Sequence, residues 1–327
     1  MYKVSVIVPI YNVEKYIERL AHSLFQQTLD EIEYIFVNDA SPDDSISILK
    51  TVIEEYPHRK SHTKILSHEV NRGLTAARNT GLQEARGLYI AHCDADDFLN
   101  KDMYKKLYYV AEKKNSDVVL CDFFMHMSEH DNRYTSTIQI KNDKVATLKA
   151  YIAYEWTVVW NMIARKELYY KYSLRSPDGI TFCEDFWLTV RLLQYAQNIS
   201  KVNEALYYYN RSNTSSILHT LNLKSEQDER RACIETISFF RENGVFDLYE
   251  RELSWRLIKS THDSIYHQDR YREFLEICPD THKYILSCPF VNKKSKLFMW
   301  MLSHNMQRIA LGILKIRDII KNRKDVI

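Results

Sequence analysis

The feature that most constrains this chain is a regular alternation across its first 124 residues. Short β-branched runs trade places with amphipathic stretches. "KVSVIVPI" (3–10), "EYIFVND" (33–39), "TKILSH" (63–68), "LYIAHC" (88–93) and "DVVLCDFF" (117–124) read as strands, the first a β-branched run of the kind buried on both faces. Between them, residues 13–27, 41–56, 74–85 and 101–114 carry helical spacing. The second of these, "SPDDSISILKTVIEEY", predicts a helix with Ser41 at its N-cap and Pro42 at its first position. Strand–helix alternation implies an α/β fold whose mostly parallel sheet is covered by helices. In such sheets ligands gather beyond the carboxyl ends of the strands.

Polar residues fall at that edge. Asn12, Asp39 and the run Asp94, Asp96, Asp97 each follow an apolar strand. Crowded carboxylates repel unless a cation sits among them. Hard divalent ions take oxygen ligands and share themselves between one or two carboxylates and substrate phosphates. The other reading of the triplet is a solvated loop with capping aspartates; the converging strand ends favour a site. A calcium loop of the EF-hand type is excluded, because Phe98 and Leu99 stand where a ligand and the turn glycine belong.

Past residue 125 the alternation weakens. "TSTIQI" (135–140) is a candidate strand, "TVVWNMIARKELYY" (157–170) an apolar segment running into a helix, and "ISKVNEALYYYNRS" (199–212) a strand or hairpin. A helix starts near Glu184, and from about Lys224 the pattern is helical, so two regions are expected, 1–220 and 221–327. Net charge is +2, which gives no global pull toward nucleic acid. The six cysteines show no paired metal spacing and predict a reducing compartment without disulfides. No window reaches about 18 consecutive apolar residues, so no membrane span is expected.

Four motifs, "VSVIVPIYNVEKYI", "VNDASPDDS", "NRGLTAARNTGL" and "YIAHCDADDFL", resemble in order and spacing the nucleotide-sugar domain of family 2 glycosyltransferases. They span residues 4–99, and "VWNMIARKEL", "FCEDFWL" and "YYYNRSNTSSI" extend the resemblance to about 217. It implies a GT-A fold, a Rossmann-like mostly parallel sheet, here followed by a helical C-terminal region. Pro9, Tyr11 and Glu14 would border the nucleotide base, and Asp39 would accept the uracil ring N–H. Arg78 would stand by the diphosphate. Asp94 and Asp96 would meet the ribose and the metal, with Asp96 and Asp97 as metal ligands and Asp97 the main one. The ion would be Mn²⁺ or Mg²⁺. Asp185 would be the catalytic base beside Glu184, while Trp160, Asn161, Glu184 and Arg211 would line the sugar or acceptor pocket. Arg211 and Ser212 would also order a loop over the diphosphate. Where the family often has Asp-Asp-Gly-Ser, this chain has Asn38-Asp39-Ala40-Ser41.

The expected activity is inverting transfer of one sugar from a UDP-sugar to a saccharide or lipid-linked saccharide, in bacterial surface-polysaccharide synthesis at the cytoplasmic side of the membrane. The Gln-x-x-Arg-Trp element of processive synthases is missing, which points to single additions. Two rivals stand beside this reading: a sugar-nucleotide nucleotidyltransferase, disfavoured because "VPIYNVEKY" lacks a glycine-rich phosphate loop, and a catalytically silent scaffold. Finally, Phe298, Leu302, Met306, Ile309, Ile313, Ile316 and Ile320 predict one helix over 293–324 with a basic outer face. Such a helix suits an anionic membrane surface, the preceding helices or a second copy in a homodimer.

Overall fold

The computed structural model describes residues 1–154, 156–213, 222–262, 264–266, 270–277 and 279–313. The chain divides into two compact units, the first from Met1 to Ser225 and the second from Glu226 onward.

The first unit is built on one nine-stranded sheet. Its strands are β1 (Val4–Ile10), β2 (Ile32–Asn38), β3 (Thr63–Ser67), β4 (Tyr89–His92), β5 (Phe98–Leu99), β6 (Val118–Ser128), β7 (Asp131–Thr135), β8 (Met162–Arg165) and β9 (Ile199–Asn210). They run in the order β3-β2-β1-β4-β8-β6-β9-β5, with β7 beside β6. The helices of this unit are α1 (Ile17–Phe25), α2 (Ser45–Glu55), α3 (Pro57–Lys60), α4 (Leu74–Glu84), α5 (Met103–Lys113), α6 (Lys144–Ile152), α7 (Lys166–Lys171) and α8 (Glu184–Tyr195).

The four strands read from the first apolar runs are parallel neighbours, β3-β2-β1-β4. Beyond them the sheet is mixed. β8 enters antiparallel between β4 and β6, so the expected fifth strand does not touch the fourth. β8 is four residues long and flows into α7, so the apolar segment expected to run into a helix over 157–170 contains a short strand. Pairing of β1 with β4 stops at Ile7–His92, while pairing with β2 runs on to Ile10–Asn38. Pro9 is therefore tolerated in a central strand, because it lies beyond the β4 ladder.

Two local expectations are corrected. The helix read from Ser41 begins at Ser45. Ser41 instead accepts the Asn12 backbone N–H at 2.8 Å and donates to Asp43 at 2.6 Å, fastening the β1 exit to the turn before α2. "TSTIQI" is not a strand, since β7 ends at Thr135. Buried Asp122 captures Thr137 N–H at 2.6 Å and pairs with Lys201 at 2.7 Å, pulling that segment off the ladder.

The second unit is helical: α9 (Leu223–Glu242) from Glu226 on, α10 (Phe246–Ser260), α11 (Tyr271–Glu276) and α12 (Lys293–Ser303). Ile258, Ile265, Phe274, Ile285, Phe298, Met299 and Leu302 form its core. The single amphipathic helix expected over 293–324 is broken. α12 ends at Ser303, Asn305 takes a left-handed φ of 61°, and residues 307–313 form a separate helical stretch. Phe298 and Leu302 are buried, whereas Ile309 and Ile313 are exposed, so one stripe no longer describes them. The remainder of that predicted stripe, from Lys315 and Ile316 to Ile320 and Lys324, lies outside the described residues. No described helix is long and apolar enough to cross a membrane.

Candidate active site

Parallel β1, β2 and β4 all exit at one edge. Past β1, Tyr11 is exposed, and Asn12 turns with φ 55°; past β2, Ala40 turns with φ 56°. Both residues are in the left-handed region, where a non-glycine residue costs roughly 1–2 kcal/mol. Pro9 is buried beneath this edge and Glu14 is exposed on it, where Glu14 Oε2 accepts the Asp44 N–H at 3.3 Å.

Asp39 is almost fully buried and held by three donors. Its Oδ1 accepts the Arg72 N–H at 2.8 Å and His68 Nδ1 at 2.6 Å. Its Oδ2 accepts the Gly73 N–H at 2.7 Å. Gly73 has φ 88°, a conformation open to glycine, and this lets the loop before α4 bring two successive amides to one carboxylate.

The acidic run divides by direction. Asp94 and Asp96 are partly exposed, whereas Asp97 is fully buried. The assignment of the main metal ligand to Asp97 does not fit this geometry. Its Oδ2 accepts Tyr207 Oη at 2.6 Å and its Oδ1 accepts the Asn210 N–H at 2.7 Å, so it fastens the turn to β9. Burial, then Asp96 and Asp94, hold its carboxyl well above the usual range, which favours the neutral form. Asp96 accepts Asn213 Nδ2 at 2.8 Å, and burial followed by Asp94 raises its pKa.

Arg78 is also placed differently from expectation. It is 1% exposed and points into a cage of carboxylates rather than into an open diphosphate groove. Nη2 meets Asp94 at 2.9 Å; Nη1 meets Asp185 at 2.7 Å and Glu184 at 3.1 Å. One guanidinium therefore joins the exit of β4 to the first turn of α8, where Asp185 lies 107 residues from Arg78 in sequence. Asp185 Oδ2 also accepts the Val159 N–H at 3.1 Å. Three carboxylates cannot all stay ionised against one cation at low cost. Burial, then Asp185, push Glu184 up to about 8, so it is protonated at neutral pH. Burial raises Asp185 as well, with Arg78 opposing.

Trp160 and Asn161 are not pocket residues in this structure. Trp160 is buried, stacked on Tyr207 at 4.3 Å and on Tyr209 at 5.4 Å, with the Phe123 edge 4.9 Å away. Asn161 is buried at the start of β8, its Nδ2 donating to Cys121 O at 3.0 Å. Arg211 follows β9, its N–H donating to His126 O at 2.8 Å and its guanidinium 5.8 Å from the Tyr209 ring. Ser212, expected with Arg211 to order a loop over the diphosphate, donates its N–H and Oγ–H to Asn210 Oδ1 at 3.1 Å and 2.6 Å, and residues 214–221 lie outside the described residues.

Sequence reasoning missed His68, Tyr207, Asn210 and Asn213. His68 carried a usable signal, since it directly follows β3 at the same edge as Asp39. The other three lie on or just after β9, which is distant in sequence from the turn it secures.

Asp94 and Asp96 suit a hard divalent ion that completes its shell with phosphate oxygens. They are oxygen donors, partly exposed, and one guanidinium does not neutralise the carboxylates gathered here. Among the described residues no group of three or more His, Cys, Asp or Glu side chains is placed to hold an ion.

The family match and the likeness of fold to solved structures make this chain a glycosyltransferase of GT-A fold. The chain belongs to glycosyltransferase family 2: the family profile "Glycosyl transferase family 2" matches residues 5–185. Among its relatives, the uncharacterized glycosyltransferase EpsJ of Bacillus subtilis is 34% identical over 262 residues, 77% of this chain and 73% of that protein. The poly(ribitol-phosphate) beta-N-acetylglucosaminyltransferase TarS of Staphylococcus aureus is 31% identical over 214 residues, 64% of this chain and 35% of TarS. A crystal structure of TarS 1–349 with UDP-GlcNAc aligns at TM-score 0.65 and 20% identity, covering 96% of this chain and 92% of that one. The mannosyltransferase PcManGT of Pyrobaculum calidifontis, with GDP-Man and Mn²⁺, aligns at TM-score 0.55 and 16% identity, covering 97% and 88%.

Proposed function

We propose that the protein transfers a single sugar from a UDP-sugar to a hydroxyl of a saccharide or lipid-linked saccharide, with inversion, using Asp185 as base. The observation that carries this reading is the Arg78 bridge, which holds Asp94 on the nucleotide side and Asp185 on the other within hydrogen-bond reach of one side chain. The nucleotide lies over the exits of β1 and β2, bordered by Pro9 and Tyr11, with a base N–H on Asp39. Asp94 and Asp96 hold Mg²⁺ or Mn²⁺. When bound, that ion offsets charge building on the departing diphosphate.

Asp185 takes the proton of the acceptor hydroxyl as its oxygen attacks the anomeric carbon and the bond to UDP breaks. Arg78 and the Val159 amide hold the carboxylate still, and its burial raises its basicity. TarS, a relative named as a poly(ribitol-phosphate) beta-N-acetylglucosaminyltransferase, supports a hydroxyl-bearing polymer as acceptor. A panel of UDP-sugars assayed for UDP release with Mg²⁺ or Mn²⁺ tests the proposal. Wild type should turn over one or more donors only with metal. The idea fails if Asp185→Asn keeps full turnover.

A further inference from the structure

The structure assigns a discriminating role to His68, which rests on the nucleotide placement proposed above and goes beyond it. A carboxylate oxygen has two lone pairs. On Asp39 Oδ1 both are engaged, one by the Arg72 N–H and one by His68 Nδ1, which carries the hydrogen because an ionised carboxylate only accepts. On Oδ2 the Gly73 N–H takes one, leaving a single acceptor site for a ligand. Guanine presents two N–H groups side by side, from N1 and N2, and needs one free acceptor on each oxygen. Uracil presents one ring N–H. We propose that His68 is a specificity-determining positioning residue: by closing Oδ1 it limits the base to one that offers Asp39 a single N–H.

The ring cannot readily turn away from this task. Its Nε2 is 2.9 Å from Thr80 Oγ1 on α4, and its backbone N–H donates to Asn38 O at 2.9 Å, one residue before Asp39. The side chain is 5% exposed, so no solvent-facing alternative competes. Protonation does not alter the argument, since Nδ1 donates in both charge states of the ring.

The test is calorimetric titration of the full chain with UDP and with GDP, each with Mn²⁺. Wild type should prefer UDP. His68→Leu removes the donor, frees Oδ1 and should narrow the UDP-over-GDP ratio by about tenfold. His68→Asn places an N–H near the original Nδ1 and should keep the wild-type ratio. If His68→Leu does not fold, Thr80→Ala, which releases the ring at Nε2, should narrow the ratio about threefold. A merely structural role would weaken both nucleotides together. An unchanged ratio in the Leu or Ala variant, with wild type still preferring UDP, overturns this inference alone. Equal narrowing in His68→Leu and His68→Asn overturns it too. A wild type that binds neither nucleotide sinks the nucleotide-sugar reading and this inference with it.

Discussion

Glu184→Gln should make the protein more stable at neutral and alkaline pH. The ordinary glutamate value is 4.5, and in the fold Glu184 lies at about 8, raised by burial and then by Asp185. A raised folded pKa means that the neutral form is preferred. Its favourable contribution is complete below about pH 4.5 and is lost as pH rises through about 8. At pH 7 the wild type has crossed about 2.5 pH units of that window, on the order of 3 kcal/mol at about 1.4 kcal/mol per unit. Glutamine matches the protonated acid in shape and keeps an oxygen for Arg78 Nη1, now 3.1 Å from Glu184 Oε1. Urea unfolding followed by tryptophan fluorescence at pH 5, 7 and 9 measures the difference. The variant should match wild type within about 1 kcal/mol at pH 5 and exceed it increasingly above pH 6. Parallel stability curves from pH 5 to 9 would refute the reasoning, because Glu184 would then ionise in the fold as freely as in the unfolded chain.

Three further outcomes are expected. Asp185→Asn should lower kcat by about 10² to 10⁴ while UDP affinity, by titration, changes less than about twofold; the acidic limb of the wild-type rate profile should lie above the ordinary carboxylate range, rising as Asp185 loses its proton. Asp97→Ala strands the buried Tyr207 hydroxyl and the Asn210 amide and should cost about 2–4 kcal/mol in thermal or urea unfolding; a stable variant that loses only metal-dependent activity would return Asp97 to the ligand set. Trp160→Ala should cost about 3–5 kcal/mol as a core deletion, and an unaltered melting temperature with weakened sugar binding would contradict its placement between Tyr207 and Tyr209.

Strands β1, β2 and β4 were legible because each is an apolar run followed by a polar turn, and their shared direction brings Asp39 and Asp94 to one edge. β8 was not, because Met162–Arg165 offers too few residues to separate strand periodicity from the helix that follows. Within the acidic run, sequence gave three carboxylates but not their directions, and only the packing of β9 shows that Asp97 turns inward. Arg78 was visible as a motif arginine, yet its three partners lie 16, 106 and 107 residues away, beyond any local pattern. The aromatic character of Trp160 fitted a sugar pocket and a core equally well. At the C-terminus the heptad-like stripe continued across Asn305, and the left-handed φ there overrode it; an asparagine just past a helix end is itself a stop signal.

Three consecutive residues of α4 do separate jobs. Arg78 grips the carboxylates, Asn79 clasps the backbone of Ser176 through both its amide atoms, and Thr80 braces His68. Successive side chains on a helix fan out by about 100° each. Inserting or deleting one residue upstream within α4 would rotate all three grips out of register together. Relatives should therefore vary in length in the connections around this helix and keep the helix itself free of insertions.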